Sequence, residues 1–272
     1  MGKMQKVRTG AGTVGIEQIF TPNEFELRFI IEPQISPYGG PLFFALSLGS
    51  AVGNVVANGS YGLLDTGKKK LLVTCCHVWD DYQNLRKSDS ELKMLICLDR
   101  KPPVVLNSIV PIDQDAKLDI ATFDADSLQG ACGDRKFYPL DRNPPPRIQK
   151  GEKLAFIGYP GRFRSETDLG VHFGTFAYGV NVSDLSGRSV VADISQMRFI
   201  YDQPPKLQDA PNPHGGISGS PCFLVRNQRK PKLVAFATSV GLNLLHLTHV
   251  NCITPDGTID TGRPPNLVPA SL

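Results

Sequence analysis

The feature that most constrains this chain is its punctuation. Short apolar runs start and stop within the length of a single strand, and turn-forming residues separate them. Tyr61–Leu64, Lys70–Thr74, Leu92–Leu98, Ile120–Phe123, Leu154–Gly158, Val190–Ile194, Pro221–Val225 and Leu233–Ala237 all fit this description, whereas long amphipathic helix patterns are scarce. With 26 glycines and 22 prolines in 272 residues there are turns enough to join many short strands, so the pattern predicts an all-β barrel or sandwich. Asp65–Gly67 reads as the turn of a hairpin, with Lys68, Lys69 and Lys70 as its solvated rim. Three successive prolines in Asp141–Arg147 can continue neither helix nor strand. A linker is therefore expected at 141–150, dividing an N-terminal unit at 35–140 from a C-terminal one at 151–272, with 1–34 as an N-terminal extension. A second breaker cluster, Asp202–Pro213, leads into Gly215 and Gly216 and reads as a surface loop feeding a functional turn. No internal repeat is visible in the text of the sequence.

Composition removes several classes of function. The net charge of +3 is too small to steer the chain towards nucleic acid or anionic lipid. The first residues carry Lys3, Lys6 and Arg8 with no apolar stretch after them, and no apolar run is long enough to span a bilayer, so neither a secretory signal nor a membrane segment is read and a cytoplasmic location is expected. Six cysteines, at 75, 76, 97, 132, 222 and 252, are expected as free and mostly buried thiols. Cys75, Cys76 and His77 invite a zinc reading. Adjacent side chains on a strand face opposite ways, however, and no Cys-x-x-Cys occurs, so no metal or other cofactor is expected.

Three segments carry chemistry. Leu71 to Trp79 is a strand-like run that ends in small side chains and then His77, a base at a strand end. Lys117 to Phe123 opens an apolar run with Asp119, a carboxylate drawn beneath the surface and in need of a hydrogen-bond donor. His214 to Cys222 places Ser218 among glycines, which free the backbone to expose a hydroxyl and to aim amides at one point. Singly each has an ordinary explanation as a surface histidine, a turn aspartate or a loop. Together, in the order His, Asp, Ser, they supply a base, its orienter and a nucleophile.

These segments resemble the Thr-Ala-Ala-His, Asp-Ile-Ala-Leu and Gly-Asp-Ser-Gly-Gly-Pro motifs of the chymotrypsin-like (trypsin-like) serine peptidases. The hairpin Gly59–His77 and the run Gly151–Pro160 resemble the corresponding parts of bacterial and intracellular members, so the likeness covers roughly residues 40 to 245. It implies two six-stranded antiparallel β-barrels with the active site between them. It also implies a serine endopeptidase with His77 as general base, Asp119 as its orienter and Ser218 as nucleophile, the Gly216 and Ser218 N–H groups forming the oxyanion hole. Asn212 would lie at the base of the primary pocket, where its neutrality disfavours Lys or Arg substrates, and Ser239, Val240 and Gly241 would pair with substrate backbone. Ser239 could also bond Asp119, and His246 or His249 could contact an acidic substrate side chain as in glutamate-selective relatives.

Departures from the motifs matter too. Cys75 and Cys76 replace two alanines, Val78 stands in place of a disulfide cysteine, and Ile217 stands where animal enzymes carry the aspartate that pairs with a newly cut N-terminus. Activation by that route is excluded. The expected partners are a protein or peptide substrate and an unidentified regulatory protein, with no nucleic acid and no membrane. The rival from another class is a catalytically silent binding or scaffold module. An α/β-hydrolase esterase is set aside because Ser220 occupies the last glycine of Gly-x-Ser-x-Gly and the order of the triad differs. His172 and His214 are weaker candidates for the base.

Overall fold

The computed structural model describes residues 5–9, 16–20, 25–46, 55–98, 102–106, 109–167, 170–186, 189–201, 215–226 and 230–262. Among the described residues, strands β1 (Gln5–Thr9) and β2 (Ile16–Phe20) pair only with each other. A helical stretch follows over Glu26–Tyr38. The first sheet contains β3 (Gly39–Ala45), β4 (Val55–Asp65), β5 (Lys70–Thr74), β6 (Lys93–Ile96), β7 (Val104–Val105), β8 (Pro111–Asp115), β9 (Ile120–Asp124) and β10 (Tyr138–Pro139). Its order is β7-β6-β3-β4-β5-β9-β8, with β10 parallel to β4. The second sheet contains β11 (Lys153–Gly158), β14 (Phe176–Ser186), β15 (Ser189–Tyr201), β16 (Pro221–Val225), β17 (Lys232–Gly241) and β18 (Leu244–His249). These six close into a barrel because β16 returns to pair with β11. A separate hairpin, β12 (Arg164–Thr167) and β13 (Gly170–Phe173), is inserted between β11 and β14.

Alternation along the strands builds three apolar cores. On β4, Leu63 faces a core under the first sheet while its neighbour Leu64 faces the opposite side; on β11, Leu154 and Phe156 fill the barrel while Ala155 and Ile157 point outward. The outward residues of both sheets meet in a shared cluster that includes Phe43, Val73, Ile157, Phe223 and Phe236. The helical stretch joins this cluster through Leu27, Ile31 and Ile35, one turn apart along one face. Burying three such side chains contributes roughly 2 kcal/mol each, enough to seat a segment too short to be helical alone. Arg135 then ties down its end, donating from Nη1 to the Gly39 carbonyl at 2.5 Å and also to that of Ser36.

Seven of the eight strand-like runs read from the sequence lie wholly on strands, and Leu92–Leu98 overruns β6 at both ends. The expectation of two closed barrels needs correction, because among the described residues the first sheet is open, with β7 and β8 as its edges. The edges offer too little to pair. Strand β7 is two residues long, Pro111 at the start of β8 has no N–H to give, and the register slips between Pro111 and Asp113. A helix, α1 (Cys76–Ser88), also starts where the sequence suggested the end of a strand. Val78, Trp79 and Tyr82 form its apolar stripe against the first core, and Arg86 and Lys87 in its last turn suit the negative end of the helix dipole. Among the described residues no helix is long and apolar enough to cross a membrane. The six cysteines are free thiols, five of them buried and Cys97 partly so.

Candidate functional site

His77 is delivered by the junction of β5 and α1. Cys75 is the extended N-cap residue, so His77 occupies the first turn of the helix rather than the end of the strand. Asp119 closes the tight turn between β8 and β9, where the Asp115 carboxylate accepts the Leu118 N–H at 2.7 Å. Its backbone is left-handed, with φ 51°. An aspartate tolerates that region better than most residues but still at a cost of about 1 kcal/mol, which the surroundings must outweigh. One restraint comes from the barrel, where Thr248 Oγ1 on β18 donates to the Leu118 carbonyl. The result is a two-point grip: the His77 backbone N–H donates to Asp119 Oδ1 at 3.0 Å, and His77 Nδ1 lies 2.7 Å from Oδ2.

The grip has an electrostatic effect. The hydrogen bond to the Asp119 carboxylate raises the proton affinity of His77 above the ordinary imidazole value; partial burial opposes the shift, and the charges of Asp81 and Asp80 support it. The His77 side chain is 45% exposed and that of Asp119 23%, so the pair is open to a reactant from one side.

Ser218 sits in the turn before β16, between Gly216 at φ +101° and Gly219 at φ +92°. Both positions exclude a side chain. A Cβ on Gly216 would collide with Asn58 Nδ2 and lie 2.6 Å from the Tyr159 carbonyl oxygen; one on Gly219 would collide with the Ser60 carbonyl and lie 2.6 Å from Thr74 Oγ1. The first sheet grips this turn directly. Ser60 N–H donates to the Ser218 carbonyl at 2.8 Å, Ser60 Oγ donates to the Gly216 carbonyl at 2.8 Å, and Thr74 Oγ1 donates to the Ser60 carbonyl at 2.8 Å. Asn58 Nδ2 donates to the Tyr159 carbonyl at 2.8 Å and so fills the space beneath Gly216.

This clamp orients two amides. The Gly215 carbonyl accepts from Gly161 N–H at 2.9 Å, and in a trans peptide the Gly216 N–H then points the opposite way. Among the described residues no acceptor takes the N–H of Gly216 or of Ser218. The Ser218 hydroxyl donates to the Thr238 carbonyl at 3.0 Å. Gly59 packs between the two segments, since a Cβ placed on it would lie 3.1 Å from Val78 Cγ1 and 3.4 Å from the Ser218 carbonyl oxygen, but among the described residues no hydrogen bond joins the His77 ring to the Ser218 hydroxyl.

Not every expected residue joins the site. Asn212 and His214 lie outside the described residues. Ser239 is exposed and makes no hydrogen bond to Asp119 among the described residues; a bulge between Ala237 and Ser239 shifts the register, and the Thr238 carbonyl is the one that meets the Ser218 hydroxyl. Among the described residues β16 pairs with β17 only as far as Phe236, and the side of Ser239, Val240 and Gly241 away from β18 has no strand neighbour there. His246 pairs with Ser239 on β18. His249 is buried, its Nδ1 accepts from Asn251 N–H at 3.0 Å and its Nε2 has no hydrogen-bond partner among the described residues, so it is not presented to a substrate. His172 lies on β13, far in the topology from the turn that carries Asp119. Asn58 and Ser60 were missed by sequence reading, although Asn58-Gly59-Ser60 is a turn-type triplet inside an apolar strand and could have signalled a close backbone approach.

No family model matches the chain, and no curated protein matches it in sequence. Among solved structures it is similar to a thermostable serine protease, AL20, from an extremophilic microorganism, at 13% identity over 80% of this chain and 93% of that one, with a TM-score of 0.46. It is also similar to the Rv3671c protease from M. tuberculosis in its active form, at 12% identity over 90% of each chain, with a TM-score of 0.47. At that identity and overlap neither structure bears on the chemistry of this chain.

Proposed function

We propose that the chain is a serine endopeptidase that cleaves peptide bonds through an acyl-enzyme intermediate, with His77, Asp119 and Ser218 as its triad. His77 Nε2 takes the Ser218 hydroxyl proton as Oγ bonds to the scissile carbonyl carbon, and the carbonyl π electrons move onto oxygen. The resulting oxyanion accepts from the Gly216 and Ser218 N–H groups. Its collapse expels the amine, which leaves with the proton held by His77, and water repeats the sequence to release the acid. Asp119 keeps the Nδ1–H tautomer in place, so that Nε2 presents its lone pair, and stabilises the cation that forms. Substrate backbone adds to the open side of Ser239–Gly241 as an extra strand.

The observation that carries this reading is the two-point grip of Asp119 on His77, which a structural ion pair would not require. A second reading, a catalytically silent binding module, is favoured by one contact: the Ser218 hydroxyl is given to the Thr238 carbonyl. Its weight is small. A neutral hydrogen bond is worth about 1 kcal/mol net, roughly a fivefold bias that a side-chain rotation overcomes. Treatment of the native chain with a fluorophosphonate separates the two. Covalent labelling that disappears in Ser218→Ala supports the peptidase, and the absence of labelling in freshly prepared protein supports the silent module.

A further inference from the structure

The substitution of cysteine for a small apolar residue ahead of the histidine has a chemical consequence. We infer that Cys75, His77 and Asp119 form a site for one thiophilic divalent cation, of the zinc or cadmium type, and that an ion bound there disables the base. The site stands on geometry alone, and only its inhibitory effect rests on the peptidase reading.

One ligating atom from each of the three residues lies within 4.8 Å of the other two. Tetrahedral zinc holds N, O and S ligands at about 2.0–2.3 Å, which sets them roughly 3.3–3.8 Å apart, so the Nδ1–Oδ2 edge, now 2.7 Å, has to open and the longer separations, up to 4.8 Å, have to close, by about an ångström or less each. The sequence argument against zinc applies to neighbouring residues. Cys75 and His77 are two apart, and the extended backbone at Cys75 turns its thiol back between the sheets, where Sγ donates to the Ala237 carbonyl at 3.2 Å. Cys76 is directed elsewhere, to Asp80 at 3.5 Å.

Charge and access fit a cation. A thiolate and a carboxylate together neutralise a divalent ion, and Asp80 and Asp81 on α1 add negative potential at His77. The exposed faces of His77 and Asp119 provide the entry, while Cys75 is 1% exposed and forms the floor. The sulfur donor selects zinc or cadmium over magnesium and calcium. Without metal the Cys75 thiol gives its hydrogen to the Ala237 carbonyl, so an ion that binds there has to displace that proton.

The proton balance explains the inhibition. On binding, Cys75 releases its thiol proton to water. His77 gives up the Nδ1 proton and takes one at Nε2 from solvent, so that Nδ1 donates its lone pair to the metal, and Asp119 exchanges a hydrogen bond for a metal bond. An Nε2 that carries hydrogen has no lone pair for the Ser218 proton, and the base is lost with the serine untouched.

The test titrates the full-length, freshly reduced chain with cadmium alone and follows the thiolate-to-cadmium absorption. We expect one ion per chain. Cys75→Ala should lose the band that saturates first, and His77→Gln, which keeps every thiol, should weaken binding by more than the roughly 10–100-fold that the outer partners of metal ligands contribute. In the wild type, zinc alone should protect Ser218 from fluorophosphonate, and a chelator should restore labelling; labelling of Cys75→Ala should continue with zinc present. An unchanged cadmium band in folded Cys75→Ala, or undiminished affinity in His77→Gln, overturns the site. If Cys75→Ala does not fold, His77→Gln decides alone. If no chain is labelled even without metal, the peptidase reading fails, and the cadmium titration still decides the metal site.

Discussion

The two sides of the seam are prepared to different degrees. On the first-sheet side the proposed base is held at two points, with the His77 ring and backbone both bound to one carboxylate. On the barrel side the turn that carries Ser218 is held from both sheets, by Ser60 N–H on the Ser218 carbonyl and by Gly219 N–H on the Ala237 carbonyl, while the hydroxyl points to the Thr238 carbonyl. The difference shows where the fold spends its constraints. Under the proposed mechanism the groups that must not move, the imidazole and the two amides, are the ones held, and the hydroxyl, which has a single soft torsion, is left for substrate to draw into line.

That contrast can be broken from either side. The largest effect is expected from Asp119→Asn, which keeps the shape but offers an amide where a carboxylate fixed the tautomer; loss of the correct tautomer lowers turnover by about 10⁴ in triads of this kind. The Tm should change far less. Gly216→Ala should follow, since its Cβ meets Asn58 and the Tyr159 carbonyl at a backbone angle that L residues avoid, displacing one oxyanion donor and cutting kcat by roughly 10²–10³ with a smaller change in KM.

A third change addresses stability on the barrel side. Burial lowers the pKa of His249 to about 4, so the folded state holds it neutral while the unfolded chain protonates near 6.5. Stability from this residue is complete above the unfolded value and is lost as pH falls towards the folded one. The wild type should lose on the order of 3 kcal/mol across that interval. In His249→Asn, which retains an acceptor for Asn251, urea midpoints should fall less steeply with acid. The smallest effect is expected for Ser60→Ala, which removes one neutral hydrogen bond to the Gly216 carbonyl. It should slow kcat by about tenfold and leave KM nearly unchanged, with partial rescue by Ser60→Thr. An equal rise in KM would mean that Ser60 serves the fold rather than the oxyanion donors.

Much of this was legible in the sequence wherever the signal was local. Strands β5 and β16 match the predicted runs Lys70–Thr74 and Pro221–Val225 at both ends, because turn residues bound them closely. Helix α1 was not legible at its start. Cys75 makes no side-chain cap bond, and apolar Cys75 and Cys76 continue the strand pattern across the boundary. The helical stretch at 26–38 was hidden by Pro33 and Pro37, and tertiary packing rather than propensity holds it. At the site, the sequence put His77, Asp119 and Ser218 in view because each stands in a distinctive local context. The contact of the Thr238 carbonyl with the Ser218 hydroxyl was not foreseen, because it depends on the bulge between Ala237 and Ser239 that the pairing of β17 with β18 sets. The clamp by Asn58 and Ser60 depends on contacts between residues 101 and 156 positions apart, which no local pattern records.

The most direct measurement is the rate of fluorophosphonate labelling at Ser218 as a function of pH. Labelling should rise with pH through a single ionisation whose midpoint lies above the ordinary imidazole value, because the bond to Asp119 holds the His77 proton more tightly. It should fall to background in His77→Ala. Labelling that ignores pH and survives the loss of His77 would contradict the account at its root.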